Sequence, residues 1–162
     1  MSGTASLDRV TKLLSAFQES ATTTFETMVF LPVLAGTPES KNKGGPTGYI
    51  SGTISLASDD QSGTLSLIFP MDLAKAIFRS MMGMQDADAV AEGEVHDVVG
   101  ELANMVAGGA KSRLQDIGFN FKIGLPTVVV GENHYLEPPR NVQTMVMPMN
   151  TSKGMFYLEL SF

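Results

Sequence analysis

Cysteine and tryptophan are both absent from this chain. The first absence removes disulfides, thiolate nucleophiles and cysteine-type zinc centres from consideration. A chain of 162 residues does without such staples, because a single domain of that size buries about 70% of its unfolded surface. Basic residues are scarce, 11 against 17 acidic, and a net charge of -6 argues against binding by phosphate neutralisation, which needs a stripe of lysine and arginine. Nucleic acid is therefore not an expected partner. No apolar run approaches the roughly 18 to 20 residues that span a bilayer, and the start, Met1-Ser2-Gly3-Thr4-Ala5-Ser6, lacks the charged-then-apolar pattern of a secretion signal. A cytoplasmic protein without membrane association is expected. Histidine is limited to His96 and His134, far apart in the chain, so no metal site of its own is expected. Nucleophile motifs are missing as well: there is no Gly-x-Ser-x-Gly and no glycine-rich loop ending in Gly-Lys-Ser/Thr. Gly44-Gly45 before Pro46 and the pair Asp59-Asp60 read as turns.

What is present is apolar periodicity. Leu7, Val10, Leu13, Leu14, Phe17, Ala21 and Phe25 recur at three and four, which predicts an amphipathic helix from Leu7 to about Met28. A mobile loop is expected over about 36–46, where Gly, Lys, Asn, Ser and Pro gather. Alternation predicts strands at Tyr49 to Ala57 and Thr64 to Phe69, joined as a hairpin through Ser58 to Gly63. Pro70 opens a helix that Gly83 ends, and a long helix follows from about Glu94 to Gln115, closed by Gly118. Three strands complete the chain, Leu125 to Gly131, Val142 to Met149 and Met155 to Phe162, with Pro148 at an edge or strand end. The fold class expected is α+β in a single domain, 1–162. It comprises two pseudo-repeated halves, about 7–83 and 92–162, each a long helix followed by mainly antiparallel strands, with the helices packed on a central sheet. The eleven methionines suit adaptable packing in its core.

The long second helix carries the most informative pattern. Asp97, Glu101 and Asn104, at i, i+4 and i+7, fall on one stripe, whereas Val95, Val99, Leu102, Val106 and Ile117 fall opposite. The triad should face outward, on a stripe that Gly100 and Gly108 leave bare. A solvated helix face carries acids and an amide by default, so spacing alone leaves a site and a plain surface both open. Chemically, a carboxylate can pair with a cation, and a carboxamide both donates and accepts hydrogen bonds and can hold a water. If a partner supplied a metal, a phosphorylated aspartate and a lysine, this helix could orient the water for in-line attack on phosphorus. In the first helix, Ser15, Glu19 and Thr22 stand at the matching steps.

The spacing Asp97-x3-Glu101-x2-Asn104 resembles the signature of the CheC/CheX/FliY group of response-regulator phosphatases. The likeness continues through Asn104-Met105-Val106-Ala107-Gly108 to Lys111, and through Ser62-Gly63-Thr64-Leu65-Ser66-Leu67-Ile68-Phe69-Pro70. It implies a chemotaxis protein that docks on a phosphorylated CheY-type receiver domain and hydrolyses its aspartyl phosphate. By the same resemblance Glu101 contacts the receiver's lysine, Asn104 orients water, and Asp97 supports the motif. The magnesium belongs to the receiver, so the chain needs no cofactor of its own. Thr22, where the family pattern has Asn, makes Ser15, Glu19 and Thr22 a vestigial second motif, which favours a single-site, CheX-like protein. A homodimer built through sheet edges is implied in the same way. The second reading is a non-catalytic receiver-binding adaptor related to flagellar switch proteins. Binding alone gives no special reason for an amide at position 104.

Overall fold

The computed structural model describes residues 2–41, 44–59 and 61–162, with side chains from Leu7 onward. Helix α1, Ser2–Thr24, buries Leu13, Ala16, Phe17, Ser20, Ala21 and Thr24 on one stripe, the 3.6-residue period read from the sequence. It runs into a π-helical turn, Phe25–Val29, and stops where Phe30 takes φ 60° and returns its N–H to the Phe25 carbonyl. Strands β1 (Leu34–Ala35), β2 (Glu39–Ser40), β3 (Gly48–Ala57) and β4 (Ser62–Phe69) follow, then α2 (Met71–Met82), ended by Gly83 at φ 67°. Helix α3, Glu92–Gln115, closes through Gly118 at φ 91°, with the Phe119 N–H reaching the Leu114 carbonyl. The chain finishes with β5 (Lys122–Ile123), β6 (Thr127–His134), β7 (Thr144–Thr151) and β8 (Gly154–Ser161).

All strand pairs are antiparallel. The sheet is ordered β1-β7-β8-β4-β3-β5, with β2 beside β1 along β7 and β6 beside β5 along β3. Hairpins β3–β4 and β7–β8 meet at β4–β8, where Leu65 pairs Leu160, Ser66 pairs Glu159 and Leu67 pairs Leu158. The α+β class with helices on a curled antiparallel sheet is as the sequence pattern implied.

Alternation sorts the sheet faces. Leu65, Leu67, Phe69, Phe156, Leu158 and Leu160 are buried in the helix-side core, where Phe156 stacks between Phe25 and Phe69 at 4.8 and 4.9 Å. The opposite face carries buried and half-buried polar groups that satisfy one another: Thr53 with Ser66 at 2.8 Å, Thr144 with Ser161 at 2.7 Å, and Ser51 with His134 at 2.6 Å. Lys41 completes this layer. Its Nζ lies 2.5 Å from Glu159 Oε1, donates to the Leu136 carbonyl and sits over the Tyr135 ring.

Two glycines set where α3 rests. A Cβ on Gly52 of β3 would stand 2.9 Å from the Val99 carbonyl oxygen, and one on Gly109 would stand 2.3 Å from Ser20 Oγ, which itself donates to the Val106 carbonyl of α3 at 2.7 Å. The site-bearing helix is thus drawn close to both β3 and α1.

Several expectations need correction. The segment expected as a weakly ordered loop, about 36–46, contains β2, paired with β7, and the buried Lys41; positions 42 and 43 lie outside the described residues. Strands β1, β2 and β5, two residues each, show no alternation to read. Strand β6 runs Thr127–His134 rather than Leu125 to Gly131, because Leu125 and Pro126 leave the ladder. Pro148 is not at a strand end but inside β7, opposite the gap between β1 and β2. There its carbonyl accepts from the Gly36 N–H at 2.7 Å, and its nitrogen has no hydrogen to donate in return. Ile117 lies beyond α3 and is 53% exposed, because the chain has already turned.

Candidate active site

Helix α3 divides sharply. Val95, Val98, Val99, Leu102, Ala103, Val106, Ala107, Ala110 and Leu114 are buried, and between them Glu94, Asp97, Glu101 and Asn104 are exposed. Apolar positions dock the helix, and the 100° step leaves the polar stripe in solvent. Among the described residues, neither Glu101 nor Asn104 has a hydrogen-bond or ion-pair partner. Asp97, 90% exposed, is 3.9 Å from His96 Nδ1. Both functional groups therefore keep their full capacity for an incoming surface.

The stripe on α1 is in a different state. Ser15 and Glu19 are exposed, but Glu19 Oε2 lies 3.7 Å from Arg113 Nε, while Arg113 also donates to the Gly109 carbonyl and to Thr23 Oγ1, both at 3.1 Å. Thr22 is half-buried and its hydroxyl donates to the Gln18 carbonyl of the preceding turn at 2.9 Å. Position 22 thus offers neither an amide nor a free hydroxyl proton.

The two flanking glycines differ from expectation. Gly108 does face open space, since a Cβ there would meet nothing within 4 Å. Gly100 is buried instead, and its Cβ would stand 3.3 Å from Val128 Cγ2 and 3.9 Å from Pro126 Cγ. It is small because β6 crosses there, and the stripe is bare on only one flank. The sequence pattern predicts this segment as a strand from Leu125 to Gly131 but not its approach to α3, for which Gly124-Leu125-Pro126 is the one available signal.

The remaining candidates resolve simply. His134 is engaged with Ser51 and the Gly131 carbonyl, and His96 is half-exposed at the edge of the stripe. Glu92 accepts from the Tyr49 hydroxyl at 3.3 Å; its charge, followed by burial, raises the Tyr49 pKa above the usual phenol value. Among the described residues no group of three or more His, Asp or Glu side chains is arranged to hold a metal ion, and no helix is long and apolar enough to cross a membrane. The α3 stripe has no nucleophile and base in contact, and the Ser51–His134 pair lies on the opposite face of the sheet. The arrangement offers an acidic stripe attractive to a cation and one amide able to position a water, so it can act only on a reacting group that another molecule brings.

The family model described as chemotaxis phosphatase CheX matches residues 50–150. A CheC-like superfamily protein from Shewanella sp. PV-4 is 33% identical, with TM-score 0.85 over 93% of this chain and 96% of its own. Chemotaxis protein CheX from Vibrio vulnificus is 31% identical, with TM-score 0.84 over 91% and 97%. A CheX-CheY-BeF3-Mg2+ complex from Borrelia burgdorferi contains a chain of the same fold, 20% identical, with TM-score 0.73 over 91% and 95%. Among curated proteins there is no match.

Proposed function

The chain belongs to the CheX family of chemotaxis phosphatases, and from that premise we propose that it hydrolyses the aspartyl phosphate of a CheY-type receiver domain. The observation that carries this reading is the unpartnered pair Glu101 and Asn104 on the exposed stripe of α3, set against an α1 stripe whose carboxylate and hydroxyl are already engaged. The Borrelia relative, whose CheX is in complex with CheY, supports the choice of partner.

In this reading α3 docks over the receiver's phosphorylation site. Glu101 pairs with the receiver's lysine, and Asn104 accepts a hydrogen bond from the attacking water through Oδ1, aligning it opposite the aspartyl oxygen. Water's oxygen bonds to phosphorus as the bond to the aspartyl oxygen breaks, releasing inorganic phosphate and restoring the carboxylate. Positioning, rather than proton abstraction by a strong base, supplies the acceleration. Asp97 adds charge beside Glu101, and magnesium is held by the receiver. Homodimerisation through a sheet edge belongs to the same proposal.

The test is phosphate release from a phosphorylated receiver. Asn104→Ala is expected to lower the rate about a hundredfold or more with the fold intact, the scale of one positioned catalytic group. Near-normal release by that variant removes Asn104 from the mechanism. Tight receiver binding by the wild type without faster release selects the adaptor reading instead.

A further inference from the structure

Strands β5 and β6 pair end to end along β3 with one residue too many. Ile123 pairs with Leu56, the Gly124 N–H donates to the Ser55 carbonyl at 2.9 Å, and Thr127 pairs with Thr53, which leaves Leu125 and Pro126 opposite Ile54 alone. Such a bulge bends its strand and re-aims a side chain. One arm is tied by the Gly124 hydrogen bond, and on the other Pro126 faces the α3 turn at Gly100, its Cγ 3.9 Å from where a Cβ there would stand. That turn adjoins Glu101 and lies one turn from Asn104. Between these two residues Leu125 is 89% exposed, the most exposed of the large apolar side chains described.

The other half builds the same bulge. Ala35 pairs with Met149, the Gly36 N–H donates to the Pro148 carbonyl, and Glu39 pairs with Val146, leaving Thr37 and Pro38 opposite Met147. Gly36-Thr37-Pro38 thus answers Gly124-Leu125-Pro126. The glycine and proline recur and serve the bulge, whereas the projecting residue differs. It is leucine beside the stripe that keeps its Asn, and threonine in the half whose helix has Thr22. The fold evidently tolerates a polar residue at this tip, so the backbone does not demand Leu125.

We infer that Leu125 is the apolar anchor of the receiver-docking face, seated in an apolar depression beside the partner's phosphorylated aspartate. This rests on the function proposed above. Burying a leucine that water otherwise surrounds is equivalent to about tenfold or more in affinity, and the bulge, tied at Gly124, leaves little ordering cost to subtract.

The experiment compares wild type, Leu125→Thr and Leu125→Met for steady-state phosphate release and for receiver binding, with thermal melts and sedimentation of each protein alone. The expected result is a KM and Kd about tenfold or more higher for Leu125→Thr, kcat within about twofold, unchanged melting and near-wild-type behaviour for Leu125→Met. An unchanged KM and Kd for Leu125→Thr, while the wild type is active, overturns the anchor and leaves the phosphatase reading standing. A change in self-association without receiver assigns Leu125 to a second copy and likewise overturns it. If the wild type binds but does not hydrolyse, the phosphatase reading fails and Kd still decides the anchor.

Discussion

Gly52→Ala tests how the sheet holds the site-bearing helix. The added Cβ would stand 2.9 Å from the Val99 carbonyl oxygen, 3.2 Å from Val99 Cγ1 and 3.2 Å from Ala103 Cβ, and all three atoms belong to α3. One of them is backbone, so no rotamer change relieves it and α3 must retreat by several tenths of an ångström. Overpacking of this kind costs about 1–3 kcal/mol. Replacing a strand glycine returns roughly 0.5–1 kcal/mol. Because the nearest atom is a backbone oxygen, the upper part of the overpacking cost applies, about 2–3 kcal/mol, and the net expectation is a loss of about 1–2.5 kcal/mol, read as a fall in Tm of about 2–10 °C for a chain of this length. Circular dichroism melts and urea titrations measure it. Gly108→Ala is the internal control: the same added methyl in open space should instead raise stability by about 0.5–1 kcal/mol. Because α3 retreats as a body, Glu101 and Asn104 keep their mutual spacing, and hydrolysis below the melting transition should fall far less than in Asn104→Ala. A Gly52→Ala protein as stable as the wild type would refute the close approach of β3 and α3 as the reason for this glycine.

Other expectations concern the buried polar layer and the helix crossing. Lys41→Met leaves the Glu159 carboxylate, 6% exposed, without its partner and should cost about 3–5 kcal/mol in urea unfolding, most of it recovered by Lys41→Met with Glu159→Leu. Burial raises the Glu159 pKa above the ordinary carboxylate value, with Lys41 opposing. The stability this group contributes is therefore complete below its unfolded pKa and lost as pH rises through the raised folded one, so wild type should gain on Glu159→Gln between pH 7 and pH 4; the opposite trend in urea midpoints contradicts it. Gly109→Ala should destabilise by more than about 1 kcal/mol through Ser20 Oγ, and Ser20→Ala should partly suppress that loss in a double-mutant cycle, since only the 3.3 Å contacts with Ser20 Cβ and Arg113 Nη1 would remain. Strict additivity would show that the two residues do not meet.

The long elements were legible because each carries its own period. Leu13, Phe17 and Ala21 mark the core stripe of α1, Val95, Val99 and Leu102 that of α3, and Leu65, Leu67 and Phe69 the inner face of β4. Their burial follows from repeats of 3.6 and 2 that need no knowledge of neighbours. The exposed position of Asp97, Glu101 and Asn104 follows from the same geometry. Strands β1, β2 and β5 escaped because two residues cannot display a period; they exist only as partners to β7 and β3.

What the sequence determined alone is therefore local: which stripe of each helix is apolar, where Gly83 and Gly118 end a helix, and that an amide and a carboxylate share a solvent-facing line on α3. Tertiary structure decided everything that depends on a distant neighbour. It buried Lys41 with Glu159 across 118 positions of chain, set Gly100 against β6 rather than solvent, tied Glu19 to Arg113 and pushed Leu125 out on a bulge beside the α3 stripe. Periodicity reports how a residue faces its own element, whereas the partner it meets depends on chain closure between elements, which no local pattern encodes.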